Sequence, residues 1–86
     1  MKKGKKYKLV SFNGTIKSDE TCDPNENYWA LIGHSGTLIN FAQELNFNNQ
    51  NRVLFKFDQE IIKFGLESHN SEPNSLWILK TDLESI

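Results

Sequence analysis

Residues that carry chemistry are scarce in this chain. One cysteine, Cys22, and two histidines, His34 and His69, stand among 86 residues. A zinc site needs four ligands in close pairs, and these three do not supply it. A nucleophilic thiolate needs an adjacent base, yet both histidines fall in predicted turns with no sequence reason to meet Cys22. His34-Ser35 lies between Gly33 and Gly36, but a nucleophile elbow requires Gly-x-Ser-x-Gly before a helix; here the spacing differs and a strand is expected to follow. The acidic stretch Asp19 to Glu26 has carboxylates without the central glycine of a calcium loop. The expectation is a protein that is not an enzyme, with no cofactor and no metal.

Other absences bound the setting. One cysteine cannot form an internal disulfide. No apolar run approaches the ~20 residues of a membrane helix. The start, Met1-Lys2-Lys3-Gly4-Lys5-Lys6-Tyr7-Lys8, has the charge of a signal peptide, but Leu9-Val10 runs straight into Ser11 instead of an apolar stretch. The chain is therefore expected in the cytoplasm. At this length one small domain is expected, burying about 60–65% of its unfolded surface.

Charge is unevenly placed. Residues 1–8 hold five lysines and no acid, whereas residues 9–86 hold five bases against all 11 acids, a balance of −6. Lys2, Lys3, Lys5, Lys6 and Lys8 thus form a basic arm on an acidic body. The arm reads as a solvated, flexible segment over residues 1–6, as a grip for a polyanion, or as a segment that folds back on the body. The acids Asp19, Glu20, Asp23 and Glu26 cluster in a loop over 18–27 that has no base.

Organisation follows from periodicity and turns. Alternation predicts a first strand over Lys6–Phe12, and Asn13-Gly14 is a tight-turn signal. Tyr28–Ile32 is apolar on both faces and reads as a second strand. Gly33 and Gly36 supply freedom for a hairpin turn, and Thr37–Phe41 reads as the third strand. Residues 42–51 form a loop rich in Asn, with one helical turn possible at 42–45. In Arg52–Asp58, Val53, Phe55 and Phe57 alternate with Arg52, Leu54, Lys56 and Asp58, as a strand with one buried face requires. Asp58 is placed to cap a short helical turn near 58–64, which Gly65 ends. Ser75–Lys80 is the last strand. Thr81-Asp82-Leu83 reads as a terminal turn, with Leu83 and Ile86 candidates to return to the core. Short strands separated by turns, with almost no helix, mean a small all-β barrel or two packed sheets over residues 7–86.

Three motifs carry a resemblance. They are Gly33-His34-Ser35-Gly36-Thr37-Leu38, the strand Val53 to Asp58 ending in Phe-Asp, and Trp77-Ile78-Leu79-Lys80-Thr81-Asp82-Leu83-Glu84. Across about residues 28–86 the chain resembles an SH3-like β-barrel of the KOW and Tudor type. The resemblance implies a five-stranded barrel whose loops do the binding. It departs from that class in three ways. The Ala-Leu-Tyr-Asp-Tyr run of proline-rich-peptide binders is absent, the body is acidic where RNA-binding KOW barrels are basic, and no sequence pattern shows three of Tyr28, Trp29, Phe41, Phe47 and Trp77 converging into a cage.

Trp29 and Trp77 leave two readings open. Barrel curvature can bury both. If Leu76, Ile78, Tyr28, Ala30 and Ile32 already fill the core, some of Trp29, Leu31, Leu54, Trp77 and Leu79 lie outside it and mark a protein interface. The function expected is a non-catalytic binding module for another protein, with Trp29, Phe47, Trp77, Asp19, Glu20, Asp23 and Glu26 as contact candidates. An acidic body suits a basic partner, and a small bacterial inhibitor or immunity protein is one concrete form. The alternative is nucleic-acid or ribosome binding through the arm.

Overall fold

A computed structural model describes residues 1–18, 21–45, 51–68 and 70–86. Asp19, Glu20, Phe47 and His69 lie outside the described residues. The protein is predominantly sheet. Five antiparallel strands, β1 (Lys6–Leu9), β2 (Ser35–Phe41), β3 (Arg52–Phe57), β4 (Ser75–Leu79) and β5 (Leu83–Ser85), form one sheet in the order β4-β3-β2-β1-β5. The remaining regular elements are short 3-10 turns. Among the described residues no helix is long and apolar enough to cross a membrane.

The expected barrel is not closed. β4 and β5 are the two edges of the sheet, and each has one strand neighbour. They are consecutive in the chain, joined only by the 3-10 turn Lys80–Asp82. One extra residue on β2, Ile39, separates the pairs Leu38↔Phe55 and Asn40↔Leu54. Such a bulge bends its strand and increases the local twist, which helps a short sheet curl around its inner face.

That face is set by alternation. Tyr7 and Leu9 of β1, Leu38 of β2, Val53, Phe55 and Phe57 of β3, and Leu76 and Ile78 of β4 are all buried. Leu38 stands opposite Phe55, and Phe55 opposite Leu76. Loops complete the core with Phe12, Leu31, Ile61 and Leu66, and β5 adds Leu83. Ile86 stays exposed, so it does not return to the core. Leu54, expected on the outer side of β3, is nonetheless buried; it stands opposite Trp77 and is not part of the main cluster.

Several local expectations are met. Asn13 and Gly14 both have positive φ, 52° and 80°, as a tight two-residue turn needs, and Phe12 and Thr15 bridge across it. A 3-10 turn spans Ala42–Leu45, and another, Ile61–Phe64, ends at Gly65 in the left-handed region.

Others are corrected. The first strand stops at Leu9 instead of Phe12. Tyr28–Leu31 is a 3-10 turn, not a strand, with Ala30 N–H donating to Asn27 O and Ile32 N–H to Trp29 O. A short run apolar on both faces carries no period, so alternation could not separate the two. There is no hairpin at Gly33–Gly36. Gly33 (φ 94°) turns the chain into β2, and Gly36 is a strand residue facing Tyr7 on one side and Phe57 on the other. Asp58 does not cap the Ile61–Phe64 turn, whose N-cap is Glu60.

Asp58 instead ties β1 to the start of β2. Its carboxylate accepts from Lys6 Nζ and from Ser35 Oγ (2.8 Å). The hydrogen bond from Lys6, then that from Ser35, hold its pKa below the ordinary 3.8. A depressed carboxylate stabilises the fold above its unfolded value and loses that contribution as pH falls through the folded value. Asp58→Asn is therefore expected to destabilise slightly near neutral pH and to approach the parent in acid, as pH falls through the lowered folded value. Urea unfolding near neutral pH and in acid checks this; an equal deficit at both would mean that the charge is not responsible.

Candidate functional site

Described residues of the long connection between β1 and β2 build a concave feature. The Asn13-Gly14 turn folds the first part of that connection back, so that Phe12 enters the core at 8% exposure. The 3-10 turn Tyr28–Leu31 drives Leu31 inward and sets Tyr28 and Trp29 half-buried against the cluster. Phe12 meets Trp29 edge to face at 4.9 Å between ring centroids, and Tyr28 at 5.5 Å with a tilt of 46°.

These three rings, with Asn13, Thr21, Cys22, Asp23 and Glu26, line an open, shallow cleft of about 520 Å³. Phe12, buried, and Tyr28 and Trp29, half-buried, supply its aromatic lining. Asp23 and Glu26 stand exposed at its rim with Thr21, while Cys22 and Asn13 complete the lining. Its volume lies within the ~300–1,000 Å³ typical of small-ligand sites.

Hydrogen bonds fix two of the rings. Trp29 Nε1–H donates to Thr15 Oγ1 at 2.9 Å, and Tyr28 O–H donates to the Glu67 carbonyl at 2.5 Å. Glu67 N–H in turn donates to Asn25 O, so the 65–68 segment braces this loop. Burial pushes the Tyr28 phenol above its ordinary 10.0, and Glu26, Glu67 and Cys22 push it further in that order. The neighbourhood of that ring is electronegative.

The other candidates lie elsewhere. Trp77 is half-buried on β4, opposite Leu54, and does not line the cleft. Asp23, Glu26 and Trp29 are the contact candidates brought together. Sequence reasoning placed Phe12 at the end of a strand and missed it as part of the lining; its position beside Asn13-Gly14 was the available signal. Cys22 Sγ lies 3.5 Å from the carbonyl oxygens of Asp23 and Glu26. His34 packs instead on Phe64, with centroids 5.0 Å apart. Among the described residues no group of three or more His, Cys, Asp and Glu side chains is placed to hold a metal ion.

The basic residues run along the body. Gly4 N–H donates to Leu38 O and Leu38 N–H to Lys5 O, which extends the β1–β2 contact toward the N-terminus. Lys3 Nζ pairs with Glu44 at 2.7 Å, Lys6 with Asp58, and Lys5 Nζ sits 6.0 Å from the Tyr7 ring centroid. Lys2 N–H donates to the Tyr7 hydroxyl at 3.0 Å, and Lys8 is exposed opposite Glu84 of β5.

Comparison with protein-family models, with curated proteins and with solved structures found no match for this chain.

Proposed function

We propose that this protein is a non-catalytic binding module whose partner is another protein with a basic contact surface. The observation that carries this reading is the cleft, where aromatic rings of fixed orientation meet a rim of carboxylates. Aromatic residues in a desolvated recess are the usual anchors of protein contacts, while rim charges steer the encounter and select the partner's sign. The five-stranded antiparallel sheet is compatible with an SH3-like fold and does not by itself identify the KOW and Tudor type. A small inhibitor or immunity protein acting on a basic target is the concrete form we favour.

The lysine cluster at residues 2–8 supports a second reading, binding of nucleic acid or ribosome. Phosphate binding there has to compete with the Glu44 and Asp58 pairings. The two readings separate in one experiment. The full chain is used for affinity capture from its source cell, and the captured species is identified and titrated in purified form. Asp23→Lys with Glu26→Lys is expected to weaken protein binding about tenfold or more, a loss of ~1.4 kcal/mol. The Asp23 side chain caps nothing, so the substitution leaves its turn intact. Replacing Lys2, Lys3, Lys5 and Lys8 by glutamine is expected to leave that binding nearly unchanged. Capture of nucleic acid with a steep salt dependence, lost in the glutamine variant, would overturn the proposal.

A further inference from the structure

The chemistry of the cleft selects one kind of occupant. The polar atoms of both half-buried rings are engaged, Trp29 Nε1 with Thr15 and the Tyr28 hydroxyl with Glu67 O. What the rings offer a visitor is therefore π surface and the acceptor capacity left on the Tyr28 oxygen, with no N–H or O–H left to donate. Among the described residues, the charged ones that line the recess are both acids, Asp23 and Glu26. The carboxylates disfavour an anion, with the Arg52 guanidinium reaching the lining only at Asn13 Oδ1 (2.7 Å), and an aliphatic group gains nothing from them. A cation gains from both, because the face of an aromatic ring and a carboxylate each attract positive charge.

We infer that the cleft receives an arginine side chain presented by a protein partner, its guanidinium stacked on Trp29 or Tyr28 and forked toward Asp23 and Glu26. The inference rests on the protein-binding reading above and names the group recognised. Arginine fits better than lysine for two reasons. Its planar head stacks on a ring while its fixed N–H fork meets carboxylates two bonds at a time, and it is more weakly hydrated than an ammonium, so less is lost on entering an apolar recess. At about 520 Å³ the cleft also has room for the aliphatic stem and flanking backbone of the inserted residue.

The test is a titration of the isotopically labelled full chain, followed by NMR, with capped Gly-Arg-Gly, Gly-Lys-Gly and Gly-Gln-Gly peptides in the millimolar range. The Trp29 indole N–H reports on the cleft, and the Trp77 indole N–H, assigned through Trp77→Phe, serves as internal control. The arginine peptide is expected to give a saturable shift at Trp29 and none at Trp77, binding severalfold tighter than the lysine peptide. The glutamine peptide is expected to give no saturable shift. Asp23→Asn with Glu26→Gln should weaken the arginine peptide by about tenfold, or ~1.4 kcal/mol, with the fold unchanged. Equal response to arginine and glutamine, no response to arginine, or a response centred on Trp77 overturns the inference. Suppose the arginine peptide fails while the charge reversal at Asp23 and Glu26 still abolishes binding of a captured protein. Then the arginine assignment falls and the binding-module reading stands. Capture of nucleic acid alone removes both.

Discussion

Asp82→Ala is expected to lower the unfolding free energy by about 3 kcal/mol and the Tm by about 12 °C or more. Asp82 sits in the 3-10 turn between β4 and β5 and is only 1% exposed. Its Oδ1 accepts from Ser11 Oγ (2.6 Å) and Gly14 N–H (3.0 Å), its Oδ2 from Asn13 N–H (2.8 Å), and its backbone O from Val10 N–H (2.9 Å). One carboxylate thus organises the turn that follows β1. Hydrogen bonds to a charged acceptor contribute roughly 1.5–3 kcal/mol each and do not add fully, which is why about 3 and not the full sum is expected. For 86 residues the total stability is on the order of 4–13 kcal/mol, so the loss is a large share. Asp82→Asn should recover only part of it, because an amide presents N–H where donors already point. Urea unfolding measures the shift. A midpoint unchanged in Asp82→Ala would show that the carboxylate does not hold this turn. The same substitution should accelerate hydrogen exchange at the Asn13 and Gly14 amides and loosen the cleft, since Phe12 and Thr15 belong to the turn that Asp82 anchors.

Gly36→Ala should be comparably damaging, at about 3 kcal/mol, the upper end of ordinary overpacking. A Cβ at position 36 would lie 2.4 Å from the backbone oxygen of Lys56 and within 2.9 Å of two atoms of the Phe55 ring. The oxygen belongs to the β3 backbone and the ring is fully buried, so neither can give way cheaply. The strain falls on the β2–β3 pairing itself. Gly33→Ala is the useful contrast. Its Cβ would meet open space, but its φ of 94° is unfavourable for any other residue, and the cost should be about 1–2 kcal/mol. If Gly36→Ala stayed within about 0.5 kcal/mol of the parent, as an ordinary surface change does, the close approach of β3 to Gly36 would be refuted.

These two glycines show where local reading succeeds and where it stops. Residue type alone assigns both to backbone freedom in one turn. Gly33 does that, whereas Gly36 is needed for want of a side chain, a reason that lies in Lys56 and Phe55 some twenty residues on. The strand at Arg52–Phe57 was legible because its alternation is strict and one face is buried. Asn13-Gly14 and Gly65 were legible because positive φ leaves a residue signature. Tyr28–Leu31 was not, since an apolar run with no period is compatible with either a strand or a turn. β5 was read as a terminal turn because three residues are too few to show a period.

At the candidate site, Trp29, Asp23 and Glu26 could be picked as contact types from composition and placement in a loop. Their meeting with Phe12 and Tyr28 depends on the fold-back at Asn13-Gly14 and on Asp82, which lies 69 positions from Asn13. Trp77 was equally eligible by residue type, yet strand register sends it to a different face.

The pairing of β1 with β5 has a consequence for how the molecule forms. Tyr7 meets Ser85, and Leu9 meets Leu83. Until residues 83–85 are made, β1 carries one unpaired edge. β2, β3 and β4 can add to β1 in chain order, and the other edge of β1 stays open until β5 emerges. Pairings of such sequence separation slow folding, and an edge left open meanwhile is prone to pairing with another chain. Lys6 and Lys8, which flank Tyr7 on that strand, place charge where a stray strand would have to dock.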